Sequence, residues 1–248
     1  MQQENIRIQT PDGSCRAVVV TPEGQGPWPA VIFYMDAFGL RPALVSMAQR
    51  IAAAGYVVLL PDMLYRVGDY EPLTPAELFK GDYRAVIGPM MATTGNGRSR
   101  ADTGACLAYL ATRKDVAGVG VGTVGFCMGG GMALTAAGAF PEQVAAAASF
   151  HGGNLATDAE DSPHLLAGTM RAEIYVAGAD NDKSYPPAMA ERLEQALSAA
   201  GVSHRLEVYA NAAHGWMKPD FPVYDEAAAE RGWQALLDLF DRRLRKAA

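Results

Sequence analysis

Positive charge is in short supply in this chain relative to negative. Its 248 residues carry 21 Lys and Arg against 27 Asp and Glu, a formal net charge of −6. That balance argues against nucleic acid and against anionic membrane surfaces as partners. Long apolar runs are also missing. None approaches the roughly 20 residues needed to span a bilayer, and residues 1–8 are polar, without the apolar stretch of a secretory signal. Cysteine is scarce: Cys15, Cys106 and Cys127 form an odd set with no CxxC spacing. This speaks against a disulfide framework or a zinc site and suits a reducing cytoplasm. Linkers, repeats and low-complexity tracts are absent as well. The expectation is therefore a single cytoplasmic domain over residues 1–248, without membrane or nucleic-acid partners.

What is present is a globular composition, 50% hydrophobic, arranged in a regular alternation. Residues 5–10 and 15–21 flank the turn signal Pro11-Asp12-Gly13 and read as an antiparallel hairpin at a sheet edge. From residue 30 onward, short apolar runs alternate with helical spacings. Strands are expected over 30–35, 56–60, 119–124, 144–150, 172–177 and 205–209. Helices are expected over 41–54, 99–113, 130–137, 187–200 and 225–245. Such β-α-β-α order predicts an α/β fold: a mainly parallel, doubly wound sheet with helices on both faces. Ligands in such sheets sit at the carboxyl ends of the strands. Residues 63–97 break the pattern and read as an irregular, functional segment.

The most telling motif is Gly125-Phe126-Cys127-Met128-Gly129, between an expected strand and an expected helix. Strand, Gly-x-nucleophile-x-Gly and helix make the nucleophile elbow of the α/β-hydrolase fold, here with Cys at the reactive position. Glycines belong there because the turn is strained and larger side chains would strike the neighbouring strand and helix. A thiol nucleophile needs a base, and the base needs a partner that fixes its tautomer. His214 follows the last strand, and Asp180 and Asp182 follow the strand before it. The chain order Cys127, Asp, His214 is that of the fold. Asp182 is the favoured acid, with Asp180 as the alternative. The oxyanion donors are expected to be the backbone N–H groups of Met128 and Ala37.

With these residues in view, the chain resembles the dienelactone hydrolase (carboxymethylenebutenolidase) family. The carriers are Gly-Phe-Cys127-Met-Gly-Gly, residues 31–39, residues 55–62 and His214-Gly215-Trp216. The resemblance implies a Cys-His-Asp triad opening a strained lactone through an acyl-enzyme, with no metal or organic cofactor. It implies a small lactone or ester substrate bearing a carboxylate, and a monomer. Two positions depart from the family. Asp36 stands where the family usually has a thiol-activating Glu. Lys218 stands where an Arg often meets the substrate carboxylate, and it lacks the bidentate fork. Asp36 and Lys218 are therefore candidates for thiol activation and substrate binding; the alternative for Asp36 is a side-chain cap on the next helix. A broader carboxylesterase or thioesterase is the second reading, and a redox-responsive thiol protein the third.

Other residues carry weaker expectations. Cys15 and Cys106 are expected in the core, His151 in a pocket wall or turn, and His164 and His204 on the surface. Arg66, Arg84, Arg98 and Arg100 are candidates for an acidic substrate, and Trp216 and Tyr65 for pocket wall or core. Gly118-x-Gly120-x-Gly122 is no dinucleotide loop, because its glycines fall within a strand.

Overall fold

The structure, a computed structural model, describes residues 1–245; residues 246–248 of the single-domain span lie outside the described residues. In chain order the strands are β1 (Gln2–Thr10), β2 (Gly13–Thr21), β3 (Trp28–Tyr34), β4 (Val57–Pro61), β5 (Val116–Phe126), β6 (Val144–Phe150), β7 (Glu173–Asn181) and β8 (His204–Ala213). The helices are α1 (Pro42–Ala53), α2 (Pro75–Leu78), α3 (Tyr83–Met91), α4 (Asn96–Thr112), α5 (Met128–Ala139), α6 (Pro187–Ala199) and α7 (Glu226–Leu244).

All eight strands join one sheet in the order β1-β2-β4-β3-β5-β6-β7-β8. The β1–β2 and β2–β4 pairs are antiparallel, and the rest are parallel. The expected α/β architecture, with helices on both sides of a mainly parallel sheet, is what forms. Strands β3 and β4 are almost wholly buried, because helices cover both of their faces. Edge strand β1 alternates exposed and less exposed residues, since water meets one face.

Helix α1 buries Leu44, Met47, Ala48, Ile51 and Ala52, one stripe at helical spacing. It opens on a proline and is followed by Gly55 at φ 92°. Helix α7 buries Ala229, Gly232, Trp233, Leu236 and Phe240 against the sheet on the same principle. Helix α5 differs: ten of its residues are buried, so it runs through the interior. Its small residues let it approach β3 and β6 closely, and this is what fixes the head of α5 at the centre of the sheet.

Residues 63–97 are more ordered than expected. They hold a short 3-10 turn (Tyr65–Val67), then α2, α3 and the start of α4. The sequence pattern was blurred by Pro89 inside α3 and by the brevity of α2. Among the described residues, no helix is long and apolar enough to cross a membrane.

Candidate active site

The carboxyl ends of β3, β5, β7 and β8 converge on a cavity of about 550 Å³. Cys127 stands at its floor, between β5 and α5, with φ 55° and ψ −115°. That conformation costs roughly 1–3 kcal/mol for a residue with a side chain, and persists because the surroundings over-determine it. Backbone bonds hold the turn: Cys127 N–H donates to Phe150 O at 3.1 Å, and Gly130 N–H to Cys127 O at 3.1 Å. The flanking glycines are required by space. A Cβ on Gly125 would lie 1.8 Å from Gly129 O, and one on Gly129 would lie 2.4 Å from Tyr34 O. Ala37 and Met128 line the cavity beside Cys127. Met128 opens α5, where first-turn N–H groups have no partner within the helix.

His214 lies just beyond the end of β8 and lines the same cavity as Cys127. Its Nδ1 is 2.6 Å from Asp182 Oδ2. Asp182 is nearly buried, and its other oxygen accepts from Ser184 N–H at 2.8 Å and from Ser184 Oγ–H at 2.6 Å. Ser184 Oγ also lies 3.2 Å from His214 Nδ1. Asp180 takes another post: its Oδ2 accepts from Asn211 N–H at 2.7 Å. Of the two candidate acids, Asp182 is thus the one facing His214. Sequence reasoning missed Ser184; its signal is the Asp-x-Ser turn, in which a carboxylate accepts from the backbone two residues on.

Electrostatics follow from this geometry. Burial works against a charge on Asp182, but the bonds from His214 and Ser184 outweigh it and hold its carboxyl below the usual range. Burial likewise opposes a charge on His214. The Cys127 sulfur, followed by Asp182, outweighs that cost and pushes His214 up to about 10. In Cys127→Ala the first of these partners is gone, so His214 is expected to titrate at lower pH, nearer the ordinary value of about 6.5. It stays above that value because Asp182 remains. The chain has 4 histidines, so an imidazole-resolved NMR titration reads this directly. An unchanged midpoint would show that the sulfur does not act on His214.

His151 sits beside the pair, its ring centroid 5.3 Å from that of His214. It is fully buried, and neither ring nitrogen has a hydrogen-bond partner among the described residues. Burial, followed by the nearby charges of His214 and Lys218, keeps it well below the ordinary histidine range and therefore neutral.

Asp36 and Lys218, the candidates for thiol activation and substrate binding, meet each other rather than the cavity. Neither lines the cavity. Both are fully buried and face each other, Lys218 Nζ 2.8 Å from Asp36 Oδ2 in an ion pair. Arg41 grips the same carboxylate at 2.7 and 2.9 Å and meets Asp220 at 2.5 and 3.1 Å with its other edge. Asp36 Oδ1 also accepts from Phe38 N–H at 2.9 Å, within its own loop; it does not cap the next helix, whose N-cap is Arg41. The physical reason is reach. A buried carboxylate takes the nearest cations, and Arg41, which the sequence reading overlooked, is only five residues away.

The remaining expectations sort by burial. Cys15 and Cys106 are in the core, as is Trp216, stacked on Tyr209 with ring centroids 4.3 Å apart. Tyr65 and Arg66 turn away from the cavity to Asp102. Arg84 lines the cavity, while Arg98 and Arg100 do not. His164, expected at the surface, is buried on Ser162 at 2.8 Å. Among the described residues, no group of three or more His, Cys, Asp or Glu side chains is placed to hold a metal ion.

A mainly parallel eight-stranded sheet with a sharp strand-to-helix turn at Cys127 defines a protein of the α/β-hydrolase fold. The particular kin follow from comparison with known sequences: the dienelactone hydrolase family model matches residues 15–244. The chain belongs to that family, one of carboxylic ester hydrolases. A relative from Synechocystis sp. is 29% identical over 229 residues, covering 90% of each protein. The carboxymethylenebutenolidase of Rhodococcus opacus is 27% identical over 220 residues, 86% of this chain and 81% of that protein. Among solved structures, a dienelactone hydrolase-like promiscuous phosphotriesterase from metagenomic libraries superposes with a TM-score of 0.77 at 25% identity, covering 98% of this chain and 100% of that one.

Proposed function

We propose that the protein hydrolyses a small activated ester or enol lactone, with Cys127 as nucleophile, His214 as acid and base, and Asp182 orienting the imidazole. The observation that supports this is the 2.6 Å contact of Asp182 with His214, on the same open cavity that Cys127 lines. Asp182 accepts the Nδ1 proton of His214 and so turns Nε2 toward sulfur. His214 takes the thiol proton. The thiolate bonds to the carbonyl carbon while the C=O pair moves onto oxygen, where the N–H groups of Ala37 and Met128 receive it. The bond to the alcohol oxygen then breaks as His214 returns the proton to it, leaving a thioester on Cys127. Water, losing a proton to His214, attacks that thioester. The C–S bond breaks, releasing the acid and restoring the thiolate. In a lactone the alcohol and the acid are ends of one product.

The sulfur also limits the chemistry. A thiolate leaves more readily than an amide nitrogen, so an adduct with an ordinary amide collapses backward. Esters, thioesters and strained lactones are the expected range, and peptides are not.

The test is hydrolysis of cis- and trans-dienelactone and 4-nitrophenyl acetate by the wild type and by Cys127→Ala. Turnover by the wild type should fall by at least about 10⁴-fold in the variant, as when the nucleophile of a triad is removed. Activity kept within tenfold would remove Cys127 from the reaction. A wild type that turns over none of the three, yet oxidises at Cys127 with peroxide, would favour the redox-responsive reading instead.

A further inference from the structure

The cavity that Cys127 lines is rich in aromatic and other apolar side chains. Phe79, Tyr83, Ile87 and Met91 recur every fourth residue and all line the cavity, joined by Phe38 and Phe221. The rings touch: Phe38 to Phe79 at 5.3 Å, Phe38 to Phe221 at 5.0 Å, Phe79 to Tyr83 at 5.1 Å and Phe79 to Phe221 at 5.2 Å between centroids. Phe79 and Met91 nevertheless remain 36% and 39% exposed. Large apolar side chains left in water around a cleft mark a surface that a ligand covers.

Charge is distributed in the opposite sense. Lys218 and Arg41, the cations nearest the loop after β3, are buried and bound to Asp36 and Asp220. The positive side chains on the cavity wall other than His214 are Arg84 and Lys183, both exposed. An ion pair with either would form in water and contribute little. A carboxylate drawn inward would lose its hydration among aromatic rings, while Arg84, over the Tyr83 ring at 5.6 Å, and Lys183 stay in water and Asp182 shares the wall.

We infer that the substrate this site selects is a neutral ester or lactone bearing an aryl or similarly flat apolar group, with Phe79 and Tyr83 as specificity-determining residues. This rests on the hydrolase reading proposed above and departs from the carboxylate-bearing lactone that family resemblance implies. The apolar group lies against the ring wall while the carbonyl faces Cys127, and offset or edge-to-face ring contacts add to the area covered.

Two esters matched in shape test it: 2-naphthyl butyrate and 2-naphthyl hemisuccinate, in which a carboxylate replaces the terminal methyl. The expected result is a kcat/KM at least about tenfold higher for the butyrate. Phe79→Ala, at a half-exposed position that leaves the fold intact, should raise KM for the butyrate by about 3–10-fold. It should leave S-methyl thioacetate, which has no ring, within twofold. Equal or better turnover of the hemisuccinate would overturn the inference and leave the hydrolase reading standing. Hydrolysis of neither naphthyl ester in a Cys127-dependent way would overturn both.

Discussion

Asp182→Asn is expected to lower kcat/KM by about 10³- to 10⁴-fold, while Asp180→Asn stays within threefold of the wild type. The two acids stand two residues apart at the end of β7, yet only Asp182 meets His214, at 2.6 Å. An amide at position 182 can present its NH₂ to Nδ1. That favours the wrong imidazole tautomer and leaves the buried ring without the charge that stabilises its protonated form. A loss of this size corresponds to about 4–5.5 kcal/mol of transition-state stabilisation. Ser184→Ala should fall between the two variants, because it removes the hydroxyl bond to Asp182 but leaves the backbone N–H bond in place. Steady-state kinetics on 4-nitrophenyl acetate read all three. Equal losses in Asp180→Asn and Asp182→Asn would mean that the turn as a whole, not one carboxylate, supports His214.

Much of this geometry was legible before any coordinates. The parallel strands announce themselves as apolar runs because both faces are covered, and the elbow does so because only glycine fits beside Gly129 O and Tyr34 O. The order of Cys127, Asp182 and His214 follows from the order of the strands. Sequence left Asp182 as the favoured acid and Asp180 as its alternative, whereas in the structure a hydrogen bond separates them. What lay beyond reading were partnerships across long separations. Arg41 and Asp220 are 179 residues apart and share an ion pair. Nothing in the local spacing of Asp36 or Lys218 reveals that each already has a partner. The ring wall was hidden differently: α2 and α3 are short, and Pro89 interrupts the helical signal, so the fourfold spacing of Phe79, Tyr83, Ile87 and Met91 reads as loop.

The buried cluster carries the second large effect. Asp36→Asn is expected to destabilise the fold by about 3–5 kcal/mol, the cost of leaving a buried charge without its partner. In a chain of this length that is on the order of 10 °C in Tm. Asp36 and Asp220 balance Arg41 and Lys218, and Lys218 is fully buried with Asp36 as its ion-pair partner. Burial already holds the Lys218 ammonium below its ordinary range, and losing Asp36 would drive it lower still. The unfolded chain then binds more protons than the folded one, so stability of the variant rises with pH. Its deficit should narrow as pH climbs toward the ordinary lysine value of about 10.4. Lys218→Met should cost less than about 1.5 kcal/mol, because Asp36 keeps both bonds from Arg41 and the methionine fills a similar volume. Adding Lys218→Met to Asp36→Asn should restore most of the loss, a coupling that a double-mutant cycle by thermal denaturation measures. If Asp36→Asn alone came within 1 kcal/mol of the wild type, the cluster would not be what ties the loop of Ala37 to the turn after His214. The proposed oxyanion donor and the proposed base would then owe their alignment to the sheet alone.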